Sequence, residues 1–237
     1  HGYPQTHAMW HRIAPALATR YTVVLPDLRG YGQSGLAGPG ADATAYSKRA
    51  MAKDIVAVMN RLGFPRFRIA GHDRGARVAY RLAFDFPEAV EKLAVLDVIP
   101  TMAMWDRFDV KRAMKTYHWL FLAQPEPMPE LLIARAPVQY QDYTLASWTR
   151  SGNLSAFDER ALAHYRAFYA EVPRMHATCE DYRAGATADW DDDREDAAAG
   201  RKIAAPTYVI WGSDGIPATG EGILTIWEDW ADTVDGQ

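Results

Sequence analysis

Four short apolar runs punctuate the chain: "TVVLPD" (22–27), "FRIAGHD" (67–73), "KLAVLDV" (92–98) and "PTYVIWG" (206–212). Each is rich in aliphatic or β-branched residues and closes on Gly, Asp or Pro, the pattern of strands buried in a parallel sheet. Between the first two, Met51, Ile55, Val58, Met59 and Leu62 recur at helical spacing, and Gly63 with Pro65 stops the run. A second helix, from about Gly75 to Phe84, follows the run that ends at Asp73. Strands alternating with helices in this way predict an α/β architecture, a doubly wound, mostly parallel sheet.

The alternation lapses between about 101 and 203. That stretch holds most of the tryptophans and tyrosines and reads as helices. "SAFDERALAHYRAFYAE" (155–171) is the clearest, with Ser155 and Asp158 placed as a capping box and Pro173 beyond its end. The expected division is a core over 1–100, an inserted helical cap over 101–203, and a second piece of core over 204–237. The acidic run "ADWDDDRED" (188–196) lacks the alternating ligands and the glycine of a calcium loop and reads as a solvated helix start. "GYGQSG" (30–35) matches a dinucleotide fingerprint in letters only, because the acid that should end a second strand, Asp54, falls inside a helix.

Composition narrows the classes of function. A net charge of −4 with no basic block speaks against nucleic acid or an anionic membrane as partner. No apolar run approaches the roughly 20 residues of a membrane helix, and no signal peptide is visible. Asn153-Leu154-Ser155 is then a chance match to a glycosylation acceptor. The single cysteine, Cys179, excludes an internal disulfide and an all-cysteine zinc site, and it fits a reducing cytoplasm. No cofactor or metal is implied.

The chemistry concentrates in "AGHDRGARVAY" (70–80). Gly71-His72-Asp73-Arg74-Gly75 has the form Gly-x-nucleophile-x-Gly between a strand and a helix, the setting of a nucleophile elbow. The flanking glycines remove side chains that would collide in the tight turn. Amides and dipole at the helix start favour negative charge on Asp73, so its carboxylate needs no base to become a nucleophile. A carboxylate attacks a saturated carbon bearing a leaving group, giving an alkyl-enzyme ester. The plain alternative is that Asp73 caps the helix and the arginines form surface ion pairs.

Several longer stretches sharpen this. "HGYPQTH" (1–7), "PDLRGYGQS" (26–34), "GHDRGARVAYR" (71–81), "LAVLDVIPT" (93–101), "YHWLFLAQP" (117–125), "SWTR" (147–150) and "CEDYRAGA" (179–186) resemble the haloacetate dehalogenases, a family within the α/β-hydrolase fold that includes the fluoroacetate dehalogenases. The resemblance implies a short 2-haloacid as substrate, converted to a hydroxy acid and halide. It implies Asp73 as the attacking carboxylate, Arg74 and Arg77 as the clamp on the substrate's carboxylate, and His118, Trp119 and Tyr182 as donors to the departing halide. Trp148 would line the pocket, although packing alone would explain it equally well.

Hydrolysis of the ester needs an oxyanion site, a histidine base and an acid that orients it. By resemblance, the backbone N–H groups of Tyr3 and Arg74 form the oxyanion site. Asp97, closing the third apolar run, matches the family's acid, while Asp214 in "WGSDG" occupies the position commoner in the wider superfamily. No histidine follows His176, whereas the superfamily's base follows the last strand; "HGYP" also normally follows a strand of its own. The expectation is therefore a longer natural chain. It would carry further strands ahead of His1 and a final strand and histidine within about a dozen residues of Gln237.

Three other readings stay open. An epoxide hydrolase would use the same Asp73 with cap tyrosines as acids, but would leave Arg74 and Arg77 without a task. A haloalkane dehalogenase would want an apolar pocket in their place. A binding module lacking the base is the non-enzymatic reading. Dimers are common among soluble enzymes, so a homodimer is an open expectation.

Overall fold

The computed structural model describes residues 1–213, 215 and 222–237. Two helices precede the sheet, α1 (Ala14–Ala18) and α2 (Lys48–Arg61). Strand β1 (Phe67–His72) leads into α3 (Arg74–Asp85) and then β2 (Val90–Leu96). The chain next runs through α4 (Thr101–Asp106), α5 (Val110–Lys115), α6 (Tyr117–Leu122) and α7 (Met128–Ile133). It continues through α8 (Pro137–Ser147), α9 (Glu159–Tyr169), α10 (Val172–Ala186) and α11 (Ala188–Ala198). Strand β3 (Thr207–Ile210), α12 (Ile223–Glu228) and β4 (Val234–Gly236) close it.

The sheet is parallel throughout, in the order β1-β2-β3-β4. Val95 and Val209 lie opposite one another in its centre and are fully buried, as expected of strands covered on both faces. Helix α3 packs against β1 and β2, and its Ala76, Val78, Ala79 and Leu82 are buried. Helix α2 covers α3 with Met51 and Ala52 and ends at Gly63, whose φ of 85° breaks the helix before Pro65.

Several expectations need correction. Residues 22–27 join no ladder among the described residues. A β-branched run becomes a strand only when a neighbour takes up its backbone groups. The last segment, read as helix and turn, carries α12 and in addition the short strand β4, paired to β3 from Thr207↔Val234 to Val209↔Gly236. Helix α9 is capped by Asp158 itself, which accepts from the amides of Arg160 and Ala161, so Ser155 lies outside the cap. Pro173 does lie beyond the end of α9, in the first turn of α10, where its missing N–H costs nothing.

The acidic run is indeed helical, as α11, but much of it is not solvated. Asp189, Asp193 and Asp196 are buried. They bind, respectively, Lys48, the Tyr80 hydroxyl with the Met102 amide, and Arg81. Hydrophobicity is blind to this, because Lys48, Tyr80 and Arg81, which bind these acids, lie on α2 and α3, more than 100 residues away along the chain, with Arg201 nearby as a further partner of Asp196. "GYGQSG" forms turns, and Asp54 sits within α2 bound to Arg29, which leaves no dinucleotide arrangement there. Among the described residues no helix is long and apolar enough to cross a membrane.

Candidate active site

Asp73 and Asp97 stand just past the carboxyl ends of the adjacent strands β1 and β2, beyond the paired residues His72 and Leu96. The sheet reaches out to hold both: Asp73 N–H donates to Leu96 O at 3.3 Å and Asp97 N–H to Ile210 O at 2.7 Å. They are also the two non-glycine residues with positive φ among those described, 49° and 58°. Such a conformation costs an ordinary side chain of order 1–3 kcal/mol and collects at functional sites. In parallel α/β sheets that edge is where ligands bind.

The elbow has no room to spare. A Cβ on Gly71 would lie 2.4 Å from the Gly75 carbonyl oxygen, and one on Gly75 would lie 2.3 Å from the His1 carbonyl oxygen. Gly2 is equally constrained, since a Cβ there would meet Asp73 Cβ at 2.4 Å. That closeness lets Tyr3 N–H donate to Asp73 Oδ1 at 2.8 Å. Asp73 makes no side-chain cap to α3, so the helix-cap reading of this residue does not hold. Gln141 of α8 ties the same loop to the helices above, donating to Pro4 O at 2.8 Å and Tyr165 O at 2.9 Å.

The two arginines differ. Arg74 is fully buried and held by Asp181, through Nε to Oδ2 at 2.9 Å and Nη2 to Oδ1 at 2.8 Å. Asp181 is itself bound by Lys48 and accepts from the Tyr31 hydroxyl at 2.7 Å. Burial opposes the charge on Asp181, but Arg74 and Lys48 overcome it and hold the carboxyl below its usual range. Arg74 keeps one buried nitrogen, Nη1, without a partner among the described residues.

Arg77 has no carboxylate bound to it among the described residues. Its Nη1 donates to Ile99 O at 3.1 Å and Thr101 Oγ1 at 2.9 Å, while its buried Nε has no partner among the described residues. Burial, with the nearby charge of Arg74, pulls its pKa down. The Trp119 ring offsets part of this, lying 4.6 Å from the guanidinium carbon. A buried guanidinium with spare donors is costly unless an anion completes it.

Aromatic side chains from α6 and α10 close over these groups. Tyr182 packs 5.1 Å from Tyr3, 5.7 Å from His118 and 6.1 Å from Trp119, ring centre to ring centre. The Tyr182 hydroxyl and His118 Nδ1 are buried without hydrogen-bond partners among the described residues. Burial, and secondarily the Asp73 charge, raises the Tyr182 pKa well above its ordinary value. Burial pushes His118 down to about 3, so its ring is neutral near pH 7. Trp148, at the end of α8, lies on the rim, 36 % exposed and 4.8 Å from the His118 ring. All the residues expected around Asp73 thus gather there.

Asp97 accepts from Gly212 N–H at 3.3 Å, and among the described residues no histidine ring bonds it. Asp214, the other acid considered, lies outside the described residues. His164 faces His7, and His176 pairs with Glu130. The sequence did not single out Gly2, Asp181 or Thr101. All three sit within stretches already quoted, but their roles depend on contacts 71, 107 and 24 positions distant.

This arrangement of elbow and parallel sheet is that of an α/β hydrolase, and the comparisons agree. The α/β-hydrolase family model matches residues 1–219. A fluoroacetate dehalogenase from Burkholderia sp is 44% identical over 216 residues, 91% of this chain and 70% of that protein. A soluble epoxide hydrolase from Corynebacterium sp. (strain C12) is 30% identical over 237 residues, 100% of this chain and 79% of that one. A solved structure from Nostoc sp PCC 7120, provisionally described as an α/β hydrolase, is 48% identical, with a TM-score of 0.95 covering 100% of this chain and 80% of its own. The chain belongs to the α/β-hydrolase superfamily and, within it, to the haloacetate dehalogenase family.

Proposed function

We propose that this hydrolase acts on a short 2-haloacid such as fluoroacetate or chloroacetate, giving glycolate, halide and a proton. Asp73 attacks the carbon bearing the halogen, and the carbon–halogen bond breaks as the ester bond forms. Arg77, assisted by the free nitrogen of Arg74, holds the substrate's carboxylate. His118, Trp119 and Tyr182 donate to the leaving halide. Water then attacks the ester carbonyl, with the Tyr3 and Arg74 amides on the developing oxyanion and Asp97 orienting the histidine base that this family uses.

One observation carries the reading: a buried guanidinium, on the first turn of the helix that follows the nucleophile, has a donor to spare and no bound carboxylate among the described residues. An anionic substrate supplies what is missing. It also explains why an aspartate can meet an anion at all, since Arg77 offsets their repulsion.

The runner-up is epoxide opening, favoured by the unpartnered Tyr182 hydroxyl, which could protonate the ring oxygen. The named relative from Corynebacterium keeps this reading alive. Halide release from chloroacetate and fluoroacetate, set beside turnover of an epoxide panel, decides between them. Diol formation without halide release would replace the proposal with the epoxide reading.

A further inference from the structure

Arg77 does not stand alone. Its Nη1 rests on Thr101 Oγ1 at 2.9 Å, and Thr101 Oγ1 lies 2.8 Å from the Tyr80 hydroxyl. The Thr101 amide donates to that same hydroxyl at 3.0 Å. The Tyr80 hydroxyl in turn reaches Asp193 Oδ2 at 2.9 Å, and the Met102 amide donates to the same oxygen at 3.0 Å. All four side chains are buried, with Thr101 at 0% exposure, Tyr80 and Asp193 at 1% and Arg77 at 3%. The series runs from α3 to the start of α4 and on to α11, so it links the helix carrying the nucleophile to two helices that follow β2.

The hydrogens can be assigned. The single Tyr80 hydroxyl hydrogen goes to Asp193, and the Thr101 hydroxyl hydrogen then fills the contact to Tyr80. Thr101 Oγ1 keeps its lone pairs for Arg77, and both hydroxyls in the series are satisfied. Asp193 accepts both bonds on Oδ2, so the series persists whether or not its other oxygen carries a proton. Nothing here depends on the protonation state of Asp193.

The effect falls on the guanidinium's orientation. One nitrogen is pinned by a hydroxyl and a carbonyl, and Trp119 covers one face of the plane at 4.6 Å. With those constraints the plane cannot rotate freely, and Nε remains among the donors for a ligand. An arginine held in this way loses less conformational freedom when it grips a carboxylate.

We infer that Thr101 is a positioning residue for anionic substrates, fixing Arg77 through its hydroxyl, with Tyr80 and Asp193 fixing Thr101. This rests on the reading of Arg77 as the carboxylate clamp. It adds the prediction that selectivity for the anion is set partly by a residue that never touches it.

The test uses Thr101→Val, which keeps the shape and removes the hydroxyl, and Thr101→Ser, which keeps the hydroxyl. Acetate affinity is measured by calorimetry, and steady-state kinetics are measured with chloroacetate and uncharged chloroacetamide. Thr101→Val should raise the acetate Kd and the chloroacetate KM about tenfold, the size expected when one partner of a buried hydrogen bond is lost. Its kcat should change far less, chloroacetamide turnover should be nearly unaffected, and Thr101→Ser should stay within about threefold of the parent. Acetate affinity unchanged in Thr101→Val, or equal losses on both substrates, would overturn the inference. If the parent binds acetate but releases no halide, the proposed reaction fails while the acetate arm still judges Thr101. A parent that binds no acetate at all overturns both.

Discussion

The Tyr3 amide donates to Asp73 Oδ1 at 2.8 Å across 70 positions of sequence, and Gly2, one residue earlier, presses against Asp73 Cβ. Asp73 and the loop of residues 1–4 are therefore built against each other. The amide assigned to the oxyanion site rests on the carboxylate that will become the ester, which is where the oxyanion later forms.

Gly2→Ala should break this contact without altering any ionisable group. A Cβ 2.4 Å from Asp73 Cβ cannot be accommodated unless loop or elbow moves. Losing one oxyanion donor typically costs about 100-fold in kcat or more, and a fall of at least that size in halide release is expected. Activity within about threefold of the parent would show that the loop yields and that this placement is not required.

Replacing Arg77 separates function from stability. Arg77→Met should lower kcat/KM for haloacetate by at least about thirtyfold, since a buried charged hydrogen bond is worth roughly 2–5 kcal/mol. Arg77 nevertheless has no bound carboxylate among the described residues, so Met should leave Tm near the parent's or raise it. A large drop in Tm together with equal losses on chloroacetate and chloroacetamide would make Arg77 a structural residue.

His118 predicts a pH effect whose direction is fixed. Its folded pKa, about 3, lies below the ordinary 6.5 because burial disfavours the cation, with Asp73 opposing only in part. Above pH 6.5 the ring is neutral in both folded and unfolded chains and adds no pH dependence. As pH falls from 6.5 toward 3 the unfolded chain binds a proton that the folded ring refuses, so stability drops across that window. The His118 ring resonances should show no titration between about pH 5 and 9, and His118→Phe should flatten the acid-side loss of Tm. A midpoint near pH 6.5 would contradict the burial argument.

Much of this was legible from short-range pattern. The elbow at 71–75 combines two glycines, an acid and the passage from strand to helix, all within a few residues, and the structure puts Asp73 where that pattern implies. The helices of 101–198 announced themselves by the loss of strand alternation. What stayed hidden depends on distant partners. Residues 22–27 have strand-like side chains but no ladder among the described residues, because pairing belongs to the neighbour as much as to the run. Asp189, Asp193 and Asp196 read as a solvated face until Lys48, Tyr80 and Arg81 are seen folded onto them. Arg74 and Arg77 looked alike in sequence, and only Asp181 distinguishes the neutralised arginine from the one with charge to offer.

The central claim is that Asp73 itself forms a bond to the substrate. Single turnover with chloroacetate in heavy-oxygen water, followed by acid quenching, digestion and mass analysis, tests it most directly. The peptide containing Asp73 should carry a carboxymethyl ester early in the reaction. Once the ester is hydrolysed, heavy oxygen should appear in the Asp73 carboxylate and ordinary oxygen in the first glycolate released. Heavy oxygen in that first glycolate, with Asp73 unmodified throughout, would mean that water attacks the substrate directly and would contradict the account.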